Sequence, residues 1–331
     1  MRFLKWFGIF LVALIIIYLF GPQPLTPKYS NQLPEIPTNA IQLENYVNGN
    51  EAKHKLKPDN EARIIWYNDS IKEKTEYAVV YLHGFSASQE EGDPVHLNFA
   101  KKFGCNLYLS RLAEHGVDTT EPLKNFTVEG IWNSAVEAYA IGKQLGKKVI
   151  LMSTSTGGTL ALKLCAEFPE IAASIMLSPN IAINDANAWL LNNRWGLQIA
   201  HLILGEHRVI NDTTFLYNKY WNTRYSTNSL VQLEELLEST MKESTFKKIN
   251  QPSLLLYYFK DEEHQDHVVK VSAMKRMFAQ LNTPEDKKRE VAIPDAGDHV
   301  IGSYIKSKDV RKVEEECERF GKEVLKLNNI P

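Results

Sequence analysis

Short apolar runs, each followed by small or polar residues, alternate with segments of helical periodicity from about residue 60 onward. The clearest runs lie at residues 77–82, 149–152 and 252–259. Apolar runs of this length bounded by turn residues are typical of buried strands, and apolar residues every three or four positions are typical of amphipathic helices. Strands that alternate with helices predict a mostly parallel sheet with helices on both faces. We therefore expect one large α/β domain over residues 59–331.

The amino end carries a different pattern. After Arg2 and Lys5, residues 6–20 contain no charge, and with the two preceding apolar residues the stretch approaches the ~17–20 residues that span a bilayer. No small-x-small cleavage site follows in residues 17–24, which favours an uncleaved transmembrane anchor over residues 1–21. A cleaved signal peptide is the alternative.

The basic residues around this apolar run predict its orientation. Arg2 and Lys5 precede it, and Lys28 is the only basic residue soon after it. The positive-inside rule then predicts a cytoplasmic amino terminus and a folded domain outside the cytoplasm. If the segment is cleaved as a signal, the same domain is expected to be secreted. Residues 21–40 carry five prolines, so we expect residues 22–58 to form an extended linker.

Charge and cysteine content exclude several classes of protein. The formal net charge is −2, which gives no sign of nucleic-acid binding. Cys105, Cys165 and Cys317 are odd in number and fall in predicted strands or helices. We interpret them as small buried apolar residues and not as a disulfide framework.

A serine stands where the run at residues 149–152 turns into a predicted helix. The segment reads Ser153-Thr-Ser155-Thr-Gly157, and helical periodicity follows to Phe168. A sharp strand-to-helix turn with a serine is the nucleophile elbow, usually G-x-S-x-G, and here Ser153 replaces the first glycine. The first N–H groups of the helix have no partner within it and can stabilise an oxyanion. A plain structural turn is the alternative interpretation.

The run at residues 77–82 ends in His83-Gly84-Phe85. A strand followed by His-Gly and an apolar residue resembles the oxyanion loop of α/β-hydrolases, in which an N–H after the glycine joins the N–H after the nucleophile. The resemblance makes the amides of Phe85 and Thr156 the oxyanion donors and gives His83 a structural role. A tight turn at Gly84 with a packed His83 is the other interpretation.

An acidic loop follows the strand run at residues 252–259. In it, Asp266 precedes Val268-Val269 and a helical stretch, which resembles the Asp-x-x-Val arrangement of the same family. Asp261, closer to the strand end, is its competitor as the acid that orients the histidine, and residues 262 and 263 stay open. A metal site in the cluster at residues 263–267 is a further alternative.

A late strand run at residues 289–293 leads to Ala296-Gly-Asp-His299, which resembles the phrase that carries the family's histidine. The chain order Ser155, Asp266, His299 is that of the α/β-hydrolase superfamily, and the resemblance covers roughly residues 60–330. It implies the α/β-hydrolase fold, with His299 as the base, Asp266 as its orienting acid and no cofactor or metal.

Residues 180–250 interrupt the strand-helix alternation at the place where α/β-hydrolases commonly carry a helical cap. The resemblance therefore implies a cap insertion here. Its aromatic side chains either line a substrate pocket or hold the cap together. They are Trp189, Trp195, Tyr217, Tyr220, Trp221 and Tyr225.

The expected function is a serine hydrolase that cleaves carboxylic esters through an acyl-enzyme. An aromatic cap and a membrane anchor suggest small-molecule or lipid-like acyl esters as substrates. A serine peptidase or amidase with the same triad is the alternative among enzymes. A non-catalytic binding protein on a hydrolase scaffold is the alternative from another class. The motifs do not determine the acyl or leaving group, because specificity depends on the shape of the pocket.

Overall fold

A computed structural model of the protein describes residues 2–329, and these contain a seven-stranded sheet and a separate two-stranded sheet. The strands are β1 (Arg63–Ile65), β2 (Thr75–Leu82), β3 (Asn106–Leu109), β4 (Gly146–Thr154), β5 (Ala173–Leu177), β6 (His207–Val209), β7 (Arg224–Ser226), β8 (Ser253–Tyr257) and β9 (Lys288–Ala292).

The large sheet has the strand order β1-β3-β2-β4-β5-β8-β9. Only β1 runs antiparallel to its neighbour, and the other pairs are parallel. The predicted mostly parallel sheet is confirmed. β1 and β2 follow each other in the chain but are not neighbours, because β3 lies between them.

The described residues also form helices. They are α1 (Arg2–Leu19), α2 (Ala40–Glu51), α3 (Val95–Lys102), α4 (Val128–Leu145), α5 (Thr156–Glu167), α6 (Gly196–Leu204), α7 (Phe215–Tyr220), α8 (Thr227–Thr240), α9 (Glu243–Phe246), α10 (Val271–Ala279) and α11 (Val310–Glu323). Short 3-10 turns lie at Gln89–Gly92, Ala188–Leu190 and Glu285–Lys287.

The sheet is buried on both faces because successive side chains of a strand point to opposite sides. In β2, Ala78 and Val80 belong to the apolar core that contains residues of α4, α5 and α10. Val79 and Tyr81 belong to the opposite core, which α3 and α11 complete. The prediction of helices on both faces is therefore also confirmed.

The insertion at residues 180–250 contains α6 to α9 and the β6–β7 hairpin. Three of its aromatic residues, Tyr220, Trp221 and Tyr225, are buried. Trp221 stacks on Tyr217 with 4.8 Å between the ring centroids, whereas Trp189 is exposed. Most of the cap aromatics therefore contribute to packing.

Residues 22–58, for which we expected an extended linker, pack on the domain. The indole Nε1 of Trp132 donates to the carbonyl of Ser30 at 2.7 Å, and the Lys163 ammonium lies 4.2 Å from the centre of the Tyr29 ring. Farther along, α2 buries Leu43 and Val47 in the core. This segment thus carries secondary structure and apolar contacts of its own.

The apolar amino end forms α1, whose side chains are mostly exposed. Among residues 2–329, no helix is both long enough and apolar enough to cross a membrane. The transmembrane anchor expected over residues 1–21 is therefore not supported. The placement of the domain outside the cytoplasm stays a prediction.

Candidate active site

Ser155 lies between the end of β4 and the first residue of α5. Its backbone has φ 52° and ψ −120°, a region that residues other than glycine rarely occupy. The side chain makes no capping hydrogen bond to α5 and is 6% exposed. Backbone strain of this kind persists where the surrounding structure enforces it, and such residues are concentrated at functional sites.

The turn around Ser155 explains which of the usual elbow glycines is needed. Ser153, which replaces the first glycine, lies within β4 and directs its hydroxyl to the Ile175 carbonyl of β5 at 3.4 Å. Gly157 lies against the end of β2, where a Cβ would meet the Leu82 carbonyl oxygen at 2.0 Å. A small side chain is therefore accommodated at residue 153, whereas none fits at residue 157.

Replacing Gly157 by alanine should lower the free energy of unfolding by roughly 1–3 kcal/mol or more, since the added methyl group meets rigid backbone. Gly49 provides a matched control because it lies in α2 with no atom within 4 Å of an added Cβ. Gly49→Ala should stabilise the protein by up to about 1 kcal/mol through helix propensity. Urea unfolding of both variants measures the difference, and equal effects would contradict this account of the turn.

Asp266 and His299 come together although 33 residues separate them in the chain. His299 Nδ1 lies 2.6 Å from Asp266 Oδ2, and both side chains are buried. The other carboxylate oxygen, Oδ1, accepts the backbone N–H groups of Val268 and Val269 at 2.8 and 3.0 Å. These bonds fix the carboxylate, and the carboxylate in turn orients the imidazole.

The environment of His299 favours its charged form. Burial alone lowers the pKa of the imidazole, but the Asp266 carboxylate, with further contributions from Glu91 and Asp298, raises this pKa above its ordinary value. His299 Nε2 is buried and has no hydrogen-bond partner within residues 2–329. This nitrogen is therefore available to a substrate or to a serine hydroxyl.

Asp261, the competing acid, lies elsewhere in the loop. It is exposed, and its Oδ1 pairs with Nδ1 of His264 at 2.8 Å. No group of three or more His, Cys, Asp or Glu side chains in the described part of the chain could hold a metal ion. The loop at residues 263–267 thus supplies one buried acid, Asp266, and otherwise polar surface.

The amides of Phe85 and Thr156 point to no acceptor in the described structure. Neither N–H donates a hydrogen bond within residues 2–329. Thr156 is the first residue of α5, where the N–H groups have no partner inside the helix and the helix dipole is positive. Two unpaired amides that flank a serine are suited to bind a negatively charged oxygen.

His83 supports the loop that carries Phe85. Its Nδ1 lies 2.9 Å from the Gly84 carbonyl, and its Nε2 accepts the Leu112 N–H at 3.0 Å. Burial holds the pKa of His83 well below its usual value. Both ring nitrogens of a neutral imidazole are therefore occupied by the backbone, which leaves none for proton transfer.

Glu91 is a site residue for which the sequence analysis made no prediction. It lies in the 3-10 turn after the oxyanion loop and is 2% exposed. Its Oε2 accepts the Gly84 N–H at 2.5 Å. The only signal in the sequence is an acid eight residues after His83, among polar residues that predict a surface turn.

Cap residues contact the loops that carry Phe85 and His299. The ring of Tyr225 packs edge-on against Phe85 with 5.3 Å between centroids. Tyr220 and Trp221 form a small apolar cluster with Ala87 of the oxyanion loop and Val300, the residue after His299. The cap is therefore attached to both loops that border Ser155.

The structure brings Asp266 and His299 into a hydrogen bond and places Ser155 beside the Gly84–Phe85 loop. Within the described residues no hydrogen bond joins Ser155 to His299. Such a bond commonly tightens only when substrate is bound.

No protein-family profile matches this sequence, and no curated protein does. Solved structures match. A structure from the work on LipS and LipT, metagenome-derived lipolytic enzymes, has a TM-score of 0.65 and 15% identity over 80% of this chain and 98% of its own. Est1E from Butyrivibrio proteoclasticus with bound ferulic acid has a TM-score of 0.55 and 18% identity, over 80% of this chain and 95% of its own. The monoacylglycerol lipase of Paleococcus ferrophilus has a TM-score of 0.55 and 15% identity, over 78% of this chain and 97% of its own.

These similarities, together with the strand order and the surrounding helices, show that the chain has the α/β-hydrolase fold. The structures that it resembles include lipolytic enzymes and an esterase. At these identities the likeness establishes the fold, and the activity has to be argued from the site itself.

Proposed function

We propose that this protein is a serine hydrolase that cleaves carboxylic esters through an acyl-enzyme. The observation that carries the proposal is the buried Asp266–His299 pair, whose Nε2 has no partner among the described residues. Ser155, in its strained turn, lies at the same edge of the sheet. A neutral imidazole oriented by a buried carboxylate can remove the proton of a serine hydroxyl.

In the proposed reaction, Ser155 Oγ attacks the ester carbonyl carbon while His299 Nε2 takes the hydroxyl proton. The amides of Phe85 and Thr156 donate to the oxyanion of the tetrahedral intermediate. His299 then gives its proton to the departing alcohol, which leaves an ester on Ser155. Water, deprotonated by the same imidazole, attacks that ester and releases the acid and the free serine.

The substrate class is proposed from the surroundings of the site. Two aromatic side chains, Phe85 of the oxyanion loop and Tyr225 of the cap, pack against each other near this loop. Apolar walls suit the acyl part of an ester better than a charged group. The similar structures include a lipolytic enzyme and a monoacylglycerol lipase, which supports lipid-like acyl esters for this chain as well.

A fluorophosphonate probe and a graded substrate series test this proposal. The probe should label Ser155 in the folded protein, as read by peptide mapping. Among p-nitrophenyl esters from acetate to palmitate, we expect faster turnover of the longer acyl chains and much slower turnover of the matching anilides. Absence of labelling would favour a non-catalytic binding protein, and faster anilide cleavage would favour an amidase.

A further inference from the structure

Glu91 is a buried acid whose position is not explained by packing. Taking a carboxylate out of water is costly unless a positive group accompanies it. The groups that influence its charge are the Gly84 amide, His299, Trp221 and Asp298, and Glu91 forms no salt bridge to a Lys or Arg within residues 2–329. A glutamine would accept the same hydrogen bonds without the cost of a buried charge. An acid in this place therefore points to a role for the charge itself.

The carboxylate lies beside the oxyanion loop. It accepts the Gly84 N–H, one residue before the Phe85 amide. A Cβ placed on Gly84 would be 2.8 Å from both carboxylate oxygens of Glu91 and 2.9 Å from Ser155 Cβ. Glu91 and Ser155 thus flank the same glycine from two sides, and a shift of Glu91 moves the loop that carries Phe85.

The charge also acts on His299. The Glu91 carboxylate raises the pKa of the imidazole, and the imidazolium in turn favours ionised Glu91. Burial is the largest influence on the Glu91 carboxyl and brings its pKa to about 7. Each of the two groups therefore affects the protonation of the other.

Other groups face the pair from the surrounding elements. Tyr81 of β2 and Tyr217 of α7 face Glu91, and burial raises the pKa of both phenols, so they stay neutral. Asp298 lies near both members and pairs with Lys306 at 3.5 Å, while Asp266 is bonded to His299. None of these contacts replaces the Glu91 bond to Gly84.

We propose that Glu91 is a positioning residue of the active site: its carboxylate holds the Gly84 amide so that the Phe85 amide faces the oxyanion, and it places a negative charge beside the oxyanion loop. This inference rests on the proposed serine-hydrolase function. It adds a third ionisable group to the site, beside the acid and the base.

Two substitutions separate the hydrogen bond from the charge. Glu91→Ala removes both, and kcat should fall by roughly 10- to 100-fold with little change in KM. This loss is smaller than the loss caused by removing an oxyanion donor completely, because the Phe85 amide is displaced but still present. Glu91→Gln keeps an acceptor oxygen for the Gly84 amide, so kcat on the high-pH plateau should stay within about threefold of the original.

The pH profile of kcat/KM reports the charge. The imidazole has to be neutral to accept a proton. The value of kcat/KM therefore rises with pH as His299 of the free enzyme loses its proton. Removing a negative charge beside His299 lowers its pKa. In Glu91→Gln the rising limb should therefore move to lower pH.

Glu90→Gln is the matched control. Glu90 is the adjacent acid, but its carboxylate accepts the Tyr304 hydroxyl at 2.9 Å, away from the oxyanion loop. This variant should keep both the high-pH plateau and the position of the rising limb in the pH profile of the unsubstituted protein. Thermal unfolding of all three variants shows whether a loss of activity reflects a loss of fold.

The inference is overturned if Glu91→Gln leaves the limb where it was, whether kcat is kept or lost, because the charge then has no effect on His299. It is also overturned if folded Glu91→Ala keeps kcat within about threefold. Fluorophosphonate labelling of the unsubstituted protein separates the two proposals. If Ser155 is not labelled, the serine-hydrolase proposal fails, and the role of Glu91 fails with it.

Discussion

Ser155→Ala is expected to lower kcat for ester hydrolysis by about 10⁴–10⁶-fold and to abolish fluorophosphonate labelling, since no other group takes the place of the nucleophile. The free energy of unfolding should change by less than about 0.5–1 kcal/mol. The hydroxyl makes no capping hydrogen bond to α5, and alanine occupies the strained backbone of residue 155 about as well as serine does. Initial rates with a p-nitrophenyl ester and urea unfolding measure the two effects.

Ser153→Ala is the control for this experiment. Ser153 lies two residues away and is fully buried, but its hydroxyl faces the Ile175 carbonyl across the sheet. This variant should keep labelling and most of the activity. Labelling that disappears with Ser153 and persists without Ser155 would transfer the nucleophile to Ser153 and refute the mechanism.

Asp266→Asn should lower kcat by about 10⁴-fold while the protein stays folded. Oδ1 of residue 266 accepts the amides of Val268 and Val269, so an asparagine there is held with its NH₂ group toward His299. The imidazole Nδ1 then has to accept that hydrogen bond, which leaves the proton on Nε2. In this tautomer Nε2 cannot take the proton of Ser155. Steady-state rates and circular dichroism test this expectation.

Asp261→Asn is the matched change at the competing acid. Because Asp261 is exposed and bonded to His264, solvent screens its charge, and kcat should stay within about threefold. A large loss in Asp261→Asn with little loss in Asp266→Asn would assign the orienting acid to Asp261.

The type of fold could be predicted because its signals are local. Each central strand is a continuous apolar run, and such runs occur where both faces of a strand are buried, as for Ala78 and Val79 in the two cores. The order of the strands could not be predicted in the same way. β1 and β2 follow each other in the chain, yet β3 separates them, because pairing depends on contacts between distant segments.

The candidate site shows the same division. Ser155 and His299 are recognisable from the residues around them, since a small-residue turn after a strand has a local signature. The choice between Asp261 and Asp266 depends on which carboxylate reaches His299, and only the folded chain brings Asp266 Oδ2 to 2.6 Å from Nδ1. Glu91 has no local signature at all, because an acid in a polar turn looks like surface until the loop folds over it.

The segments before the domain show what composition alone leaves undetermined. Five prolines in residues 21–40 suggest an extended chain, but Tyr29 lies beneath the Lys163 ammonium, and the carbonyl of Ser30 accepts the Trp132 indole N–H. Extended backbone packs well when side chains of a neighbouring helix offer partners. Such partners lie more than 100 residues away in the sequence.

The sequence by itself determined the alternation of strands and helices, the strand-to-helix turn at Ser155 and the chain order of the candidate catalytic residues. These follow from the preferences of neighbouring residues, which act over a few positions. The tertiary structure alone decided the strand order, the approach of Asp266 to His299 and the burial of Glu91 beside Gly84. Burial and charge interactions depend on distance in space, and the chain sets those distances only when the sheet and its loops have assembled.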